Sequence, residues 1–190
     1  MLNEIHRAEI QRLWARKVQQ DAANAPFAER HRNLAPASAE FLSALVCGIG
    51  AQKIVEIGGS SGISTIALAV AAQQTHGKLI SLEIEPRRQA ESKETIAKLG
   101  LSDSVDFRLG DAAQTLPRLN DIELVLIDCE KQDYIRFFDM LQLRRGAIVV
   151  ADNILSHHLT DYVAHVRSKR GAASVTLPIG QGLELTRIAE

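Results

Sequence analysis

The chain has 190 residues, of which 46% are hydrophobic and 24% are charged, and its formal net charge is −1. This length is enough for one domain with a full core, and so small a net charge gives no electrostatic reason to expect nucleic acid or an anionic membrane as a partner. No apolar run has the length of a membrane span, and residues 1–20 are too charged for a signal peptide. Two cysteines, Cys47 and Cys129, make no disulfide framework, so we expect small buried thiols in a cytoplasmic protein.

Helical periodicity comes first along the chain. Four apolar side chains share one stripe of a helix over residues 3–22, and they are Ile10, Leu13, Trp14 and Val18. A loop follows, and Ser38 is a suitable N-cap for a second helix, which runs to about Val46 and is ended by Gly48 and Gly50.

From residue 51 onward, short apolar strands alternate with helical segments. The expected strands are Lys53–Ile57, Lys78–Glu83, Val105–Leu109, Leu124–Asp128 and Ala147–Ala151. The expected helices cover about residues 63–73, 86–99, 112–119, 134–143 and 156–169. Two last strands, Ser174–Leu177 and Leu183–Ile188, are joined by a short glycine-containing segment that favours an antiparallel hairpin. We therefore expect a single α/β domain, in which a helical region (1–50) precedes a doubly wound, mostly parallel, seven-stranded Rossmann-like sheet (51–190).

A glycine-rich turn joins the first strand to the next helix, and it reads Glu56-Ile-Gly-Gly-Ser-Ser-Gly-Ile-Ser64. Gly58 and Gly62 lack a Cβ, so the backbone can pass close to a ligand there, and the helix that follows presents free N–H groups. Glu56 adds a carboxylate beside the same crevice. A dinucleotide turn would read Gly-x-Gly-x-x-Gly, which this spacing does not fit, so a nicotinamide dehydrogenase is disfavoured.

Acidic residues stand at the carboxyl end of every predicted parallel strand, which is the edge where ligands bind in such a sheet. Glu83 can accept two hydrogen bonds from a ribose diol, or it can serve as the acidic cap of the next helix. Asp111 can accept from an adenine amino group, or it can only N-cap the helix that begins at Ala112. The sequence leaves both alternatives open.

Three oxygen-bearing side chains end two neighbouring strands. Asp128 follows the fourth strand, and the pair Asp152-Asn153 follows the fifth. Their oxygens can converge on one hard cation such as magnesium, which proteins hold with a few oxygens, water and substrate. The alternative is that Asp152 and Asn153 only form a turn or a helix cap.

In combination, four motifs resemble the class I S-adenosylmethionine-dependent O-methyltransferases, in particular the metal-dependent catechol and caffeoyl-CoA type. They are Glu-x-Gly-x-Ser-x-Gly at 56–62, Asp-x-x-Lys-x-x-Tyr at 128–134, Asp-Asn-x-Leu at 152–155 and Leu-Pro-Ile-Gly-Gln-Gly-Leu at 177–183. The resemblance covers about residues 34–188. It implies a methyltransferase fold, S-adenosylmethionine as the cofactor and a small-molecule acceptor.

The resemblance also implies roles for individual residues. Asp128, Asp152 and Asn153 would hold the metal, with Mg²⁺ as the expected ion. Lys131 and Asp128 would be the catalytic pair, in which Lys131 takes the proton of the acceptor hydroxyl. The residues that would line the cofactor site are Glu56, Gly58, Ser60, Ser64, Glu83, Asp111, Ala112 and Asp128.

One departure from the family concerns the residues after Asn153. The family often has a Trp-Gly-Gly or Arg-Gly stretch there, whereas this chain has Ser156-His157-His158. The two histidines can contribute to metal or acid–base chemistry, or they can simply be exposed. Aromatic residues make up only 4% of the chain, so a phenol-stacking pocket is not obvious.

Three functions are consistent with these features. The first is a divalent-cation-assisted O-methyltransferase that acts on a small catechol-like acceptor. The second is a metal-independent methyltransferase with another acceptor. The third is a non-catalytic S-adenosylmethionine-binding module that acts as a homodimer, with the apolar stripe of the first helix as its interface.

Overall fold

The computed structural model describes residues 1–26 and 29–189. The helices are α1 (Glu4–Ala22), α2 (Pro36–Ile49), α3 (Ile63–Gln74), α4 (Pro86–Lys98), α5 (Ala112–Thr115), α6 (Tyr134–Asp139) and α7 (Thr160–Ser168). The strands are β1 (Lys53–Ile57), β2 (Lys78–Glu83), β3 (Val105–Leu109), β4 (Ile122–Ile127), β5 (Leu143–Ala151), β6 (Ala172–Leu177) and β7 (Leu183–Ile188). Short 3₁₀ turns cover Ser102–Ser104, Leu116–Arg118 and Lys131–Asp133.

The seven strands form one sheet in the order β3-β2-β1-β4-β5-β7-β6. Strands β1 to β5 pair in parallel, whereas β7 runs antiparallel to both β5 and β6. The expected α/β sheet with a C-terminal antiparallel hairpin and N-terminal helices is therefore confirmed. Because the chain crosses from β3 over to β4, the strand order reverses beside β1, and a crevice opens between the carboxyl ends of β1 and β4.

Two element boundaries differ from the sequence expectation at the N-terminal side of the sheet. Ser38 is not an N-cap, because α2 begins two residues earlier, where a proline occupies its first turn. Gly48 lies inside this helix, and only Gly50, with a φ of +66°, ends it in the left-handed conformation.

Three further boundaries differ near the hairpin, one of which is the start of β6 at Ala172 and not at Ser174. Strand β5 begins at Leu143 and not at Ala147, because a register shift opposite Ile122 and Leu124 accommodates extra residues in β5. Helix α7 begins at Thr160 and not at Ser156, since the segment before it is a turn. In that turn the Leu155 and Ser156 amides donate to the Gln181 carbonyl at 3.2 and 3.1 Å, so the chain follows the hairpin loop before it turns into a helix.

The N-terminal helix packs on the sheet domain through its apolar stripe. Ile10 and Leu13 are 2% and 1% exposed within a core cluster that also holds residues of α2, α3 and the sheet. Trp14 packs against the same cluster, and only Val18 is exposed. Two of the four stripe residues are thus covered by their own chain and are not available to a partner.

Two other expectations concern the cysteines and the membrane. Cys47 and Cys129 are both free, and each packs against a hydrophobic core cluster, but they are partly and not fully buried. Among the described residues, no helix has the length and apolar character needed to cross a membrane.

Candidate active site

A cavity of about 720 Å³ opens at the carboxyl ends of β1, β2 and β4, where the topology predicts a ligand site. Its walls come from the glycine-rich turn after β1, the segments after β2, β3 and β4, the hairpin loop, and the segment before α2. The sequence-predicted residues that line it are Gly58, Ser60, Glu83, Asp111, Ala112, Asp128, Lys131 and Asn153.

The carboxylate of Glu83 is held in place by backbone N–H groups. Ser60, whose φ is +46°, donates its amide to Oε2 at 2.7 Å, and Glu85 donates its amide to Oε1 at 2.9 Å. Helix α4 is capped by Glu85, which accepts from the Arg87 amide, so Glu83 is not needed as the cap. Each Glu83 oxygen keeps further acceptor capacity toward the cavity.

Gly58 and Gly62, two of the three glycines of the turn, are required by the packing of the protein itself. A Cβ on Gly58, whose φ is +96°, would lie 2.2 Å from the Asp128 carbonyl oxygen. A Cβ on Gly62 would lie 3.0 Å from the Ser92 hydroxyl. The sequence suggests that these glycines allow the backbone to pass close to a ligand. In both places, however, neighbouring residues of the protein occupy the space that a Cβ would take. Gly58 nevertheless lines the cavity with its backbone.

Glu56 and Ser64 lie beneath the cavity wall and are not among its lining residues. Glu56 is fully buried, and its Oε2 accepts hydrogen bonds from Thr65 Oγ1 at 2.8 Å and Ser81 Oγ at 2.6 Å. Burial raises the pKa of this carboxyl, opposed by its hydroxyl neighbours, of which Ser64 is one. The geometry therefore gives Glu56 a role in supporting the turn from below.

Asp111 is an N-cap, which is one of the two alternatives that its sequence position leaves open, and it also lies at the cavity. Its Oδ1 accepts from the Ala113 amide at 2.9 Å and so caps α5. The same residue lines the cavity together with Ala112. Arg136 lies 3.8 Å from its other oxygen.

Lys131 is at the centre of a polar cluster beside the turn. Its Nζ donates to Asp128 Oδ1 at 3.2 Å, to the Tyr134 hydroxyl at 2.7 Å, and to Asn153 Oδ1. The Tyr134 hydroxyl in turn donates to the Asp152 carbonyl at 3.2 Å. Asp128, Asp152 and Asn153, which the sequence predicts to converge, are therefore in direct or one-step contact with Lys131.

The cluster holds more negative charge than its lysine can balance. Asp152 is 1% exposed, and its Oδ1 has no hydrogen-bond partner among the described residues. Burial, followed by repulsion from Asp128, raises the pKa of Asp152 to about 7. Burial also raises the pKa of Asp128, although Lys131 opposes that change. Of the two carboxylates, only that of Asp128 is in contact with the ammonium group of Lys131.

The oxygen donors of this cluster are of the type that binds a divalent cation. No group of three or more His, Cys, Asp or Glu side chains among the described residues can hold a metal, so a cation would depend on two carboxylates and the amide oxygen of Asn153. The unpartnered Asp152 oxygen is a suitable hard ligand. Lys131 Nζ lies between Asp128 and Asn153, so it would have to shift as a cation entered.

Gln181, in the loop of the C-terminal hairpin, orients Asn153. Its Oε1 accepts from Asn153 Nδ2 at 2.7 Å, and Ser156 Oγ lies 3.2 Å from the same oxygen. Asn153 has a φ of +62°, and its Nδ2 also donates to Asp152 Oδ2 at 3.1 Å. Sequence reasoning included Gln181 in a motif but assigned it no role, because its spacing carries no sign of this distant contact.

His157 and His158 have different environments. His157 lines the cavity with an exposed ring, whose Nδ1 is 3.0 Å from Ser156 Oγ. Partial burial, followed by the charge of Lys131, lowers the pKa of His157. His158 is exposed and is not part of the lining, so only the first histidine is available to a ligand.

A segment that sequence reasoning missed crosses one side of the cavity. We call residues 30–33 the strap. His31 Nε2 lies 2.9 Å from Glu91 of α4, Arg32 pairs with Glu130 at 2.5 Å, and Asn33 donates to the Ser61 hydroxyl at 2.8 Å. The strap therefore connects α4, the segment after β4 and the glycine-rich turn, and all four of its residues line the cavity.

The chain is similar to known O-methyltransferases. A family profile described as O-methyltransferase matches residues 8–187. A catechol O-methyltransferase from Niastella koreensis is 34% identical over 130 residues, which are 65% of this chain and 58% of that protein. A catechol O-methyltransferase from Mycobacterium tuberculosis is 33% identical over 120 residues, which are 61% of this chain and 54% of that protein.

Solved structures share the fold at lower sequence identity. An O-methyltransferase from Bacillus cereus, in complex with SAH, has a TM-score of 0.80 and 21% identity, and the match covers 99% of this chain and 92% of that one. The O-methyltransferase TomG from Streptomyces achromogenes, in complex with SAM, has a TM-score of 0.79 and 19% identity, with 100% and 92% covered.

Proposed function

This chain belongs to the O-methyltransferase family, and we propose that it transfers a methyl group from S-adenosylmethionine to a hydroxyl of a small, catechol-like acceptor. One observation carries this proposal: the glycine-rich turn and the Lys131 cluster line the same cavity. A cofactor held by the turn can thus meet an acceptor held by the cluster. The names of the two catechol O-methyltransferase relatives support the choice of acceptor.

The cofactor end of the cavity would bind S-adenosylmethionine through acceptor groups and backbone. Glu83 would accept from the ribose hydroxyls, because each of its oxygens has only one backbone N–H partner. Asp111 and Ala112 would lie beside the adenine ring. Gly58 and Ser60 would contribute backbone to the amino-acid part of the cofactor, with Glu56 and Ser64 supporting the turn from below.

At the acceptor end, the chain's own residues would make a phenolic hydroxyl reactive. A phenol with a pKa near 10 is a poor nucleophile at neutral pH. Lys131 would take its proton as a general base or stabilise the phenolate as a cation, with Asp128 and Tyr134 fixing the position of Nζ. The phenolate oxygen then forms a bond to the methyl carbon as the carbon–sulfur bond breaks, which releases S-adenosylhomocysteine. Positioning of the two reactants supplies much of the acceleration.

Asp128, Asp152 and Asn153 would hold a divalent cation, with Mg²⁺ as the expected ion, and when bound it would favour the deprotonated acceptor hydroxyl. The buried, unpartnered Asp152 Oδ1 supports this assignment. Chelation followed by a magnesium titration tests it, with methyl transfer to catechol as the readout. Activity that persists in full with chelator would contradict a metal role.

A second candidate, a metal-independent methyltransferase, is favoured by one contact. Lys131 Nζ already donates to both Asp128 and Asn153, so an ammonium group fills the position between two of the three oxygens. In this case the lysine itself would provide the positive charge near the acceptor. Full activity in chelator, combined with loss of activity in Lys131→Met, would favour this candidate.

Substitution of Lys131 tests the proposed reaction. Lys131→Met should lower kcat for catechol by roughly 10²–10⁴-fold, the usual contribution of a general base, with little change in S-adenosylmethionine affinity. Lys131→Arg keeps the positive charge, but arginine is not a base at neutral pH. A loss of kcat equal to that of Lys131→Met would therefore identify Lys131 as the base. If Lys131→Arg retains most of the rate, the lysine acts through its charge.

The matched control is Lys98→Met, at an exposed lysine of α4 that forms a surface ion pair with Glu94. It should leave kcat and cofactor affinity within error of the wild type. A Lys131→Met protein that is as active as this control would contradict the assigned role. Loss that appears only as weaker acceptor binding would make Lys131 a positioning group.

A further inference from the structure

Two arginines line the strap side of the cavity without a carboxylate partner among the described residues. Arg30 Nε donates to the Ala25 carbonyl at 2.6 Å, and an Arg88 terminal nitrogen donates to the Arg30 carbonyl at 3.2 Å. Both side chains are partly buried. A guanidinium group has five N–H donors, so each arginine keeps most of its donors for another acceptor.

Other cations around the cavity are balanced locally. Lys17 pairs with Asp21 at 2.6 Å, and Lys131 is 3.2 Å from Asp128. Arg136 is 3.2 Å from Asp133, and Arg32 is 2.5 Å from Glu130. Among the described lysines and arginines that line the cavity, Arg30 and Arg88 are therefore those for which no ion pair is observed, although the whole chain has a net charge of −1.

We propose that Arg30 and Arg88 form a subsite for an anionic group, a carboxylate or a phosphate, carried by the acceptor. This inference rests on the proposed methyl transfer, and it narrows the acceptor to an acidic catechol. Arginine binds such oxyanions with paired N–H donors, and the partly buried position strengthens the attraction. The hydrogen bond from Arg88 to the Arg30 carbonyl keeps the two residues together on one wall.

The strap connects the subsite to the proposed reaction centre. Arg30 belongs to the strap, and Arg32, two residues further on, pairs with Glu130 at 2.5 Å. Glu130 directly precedes Lys131 in the chain. An acceptor whose hydroxyl meets Lys131 can thus extend its acidic substituent along the strap toward Arg30 and Arg88.

The carboxylate in the amino-acid part of the cofactor is a second anionic group that could bind to these arginines. The experiment separates it from an anionic group on the acceptor. Methyl transfer to protocatechuate, which is anionic, is compared with transfer to its neutral methyl ester. The wild type should have a higher kcat/KM for the acid. In Arg88→Gln the ratio of acid to ester should fall about tenfold or more, as expected when a charge-assisted hydrogen bond is lost. Arg30→Gln should act in the same direction, and it leaves the Arg30 carbonyl in place.

Arg87→Gln is the matched control, because Arg87 is an exposed neighbour in the same helical turn and does not line the cavity. It should leave the acid-to-ester ratio unchanged. An unchanged ratio in Arg88→Gln and Arg30→Gln would overturn the proposal. A weaker S-adenosylmethionine affinity in these variants, with the ratio unchanged, would assign the anion to the cofactor and would also overturn it.

A binding measurement separates this proposal from the proposed function. Protocatechuate is titrated by calorimetry into protein saturated with S-adenosylhomocysteine. If the wild type transfers no methyl group, but Arg88→Gln weakens the binding of protocatechuate, the result would support the subsite and contradict the methyl transfer. Normal transfer with binding that is insensitive to both substitutions would support the reaction and contradict the subsite.

Discussion

The two ends of the cavity, the proposed cofactor end at the glycine-rich turn and the proposed acceptor end at the Lys131 cluster, differ in their polar contacts. At the cofactor end, both Glu83 oxygens accept backbone N–H groups, and Gly58 packs against the carbonyl of Asp128. At the acceptor end, Asp152 Oδ1 is buried without a partner, and Lys131 contacts only one of the two carboxylates, that of Asp128. The first end is fixed by backbone geometry, whereas the second holds electrostatic strain.

This difference predicts how the two ends respond to substitution. A tightly packed backbone segment loses stability when a side chain is added to it, because its neighbours leave no room for further atoms. Groups whose pKa values are displaced by burial and like charge are typical of reactive sites, and their removal often stabilises a protein while it lowers activity. Stability should therefore depend on the cofactor end, and rate on the acceptor end.

The largest expected effect on stability is at Gly58. Gly58→Ala should lower the free energy of unfolding by more than about 4 kcal/mol or prevent folding, because its Cβ would lie 2.2 Å from a backbone oxygen at a φ of +96°. Urea denaturation followed by circular dichroism measures the change. Gly100→Ala is the control: its φ is +69° but no atom lies within 4 Å, so about 1 kcal/mol of backbone strain remains. Equal losses in the two variants would remove the packing argument.

The cofactor end was largely predictable from sequence because its signals are local. Apolar runs placed β1, β2 and β3 to the residue, and the residues at the ends of these strands indicated Glu83 and Asp111. The long-range contacts had no comparable signal. The strap, the clamp of Gln181 on Asn153 and the early start of β5 all depend on which segments meet in space, which periodicity does not report. Glu56 is expected in the lining because it stands near a strand end. The sequence does not show which side its carboxylate faces.

A smaller effect, of opposite sign, is expected at Asp152. Its folded pKa of about 7 lies above that of an unfolded aspartate, so the native protein holds a proton that the unfolded chain releases between about pH 4 and pH 7. Wild-type stability should fall as the pH rises through this window and should level off above it. Without metal, Asp152→Asn should then be the more stable protein at pH 8, on the order of 2 kcal/mol, and this gain should shrink toward pH 5.

Thermal unfolding in chelator at several pH values measures this gain. Asp161→Asn, at an exposed position of α7, is the control and should have no pH-dependent gain. A magnesium titration adds a second comparison, since magnesium should raise the melting temperature of the wild type more than that of Asp152→Asn. Equal responses to magnesium would argue against the metal site, and a destabilised variant at pH 8 would argue against electrostatic strain at Asp152.

The smallest effect concerns Gln181, which belongs to the acceptor end but carries no charge. Asn153 Nδ2 donates to Asp152 Oδ2, and Asn153 Oδ1 accepts from Lys131, whose ammonium group can only donate, so one amide orientation satisfies both contacts. Gln181 Oε1 adds a third contact of 2.7 Å that favours the same orientation. Gln181→Leu should lower kcat about tenfold, equivalent to about 1.4 kcal/mol, with little change in cofactor affinity or melting temperature.

Gln181→Glu decides whether this loss comes from positioning. The glutamate keeps an acceptor oxygen for Asn153 Nδ2, so it should restore most of the rate that the leucine variant loses. Because Asp152 still accepts from Asn153, neither variant should abolish activity. Equal losses in the leucine and glutamate variants would contradict the orienting role. A loss that follows the melting temperature would instead assign Gln181 to the stability of the hairpin loop, and the acceptor end would then depend on packing as the cofactor end does.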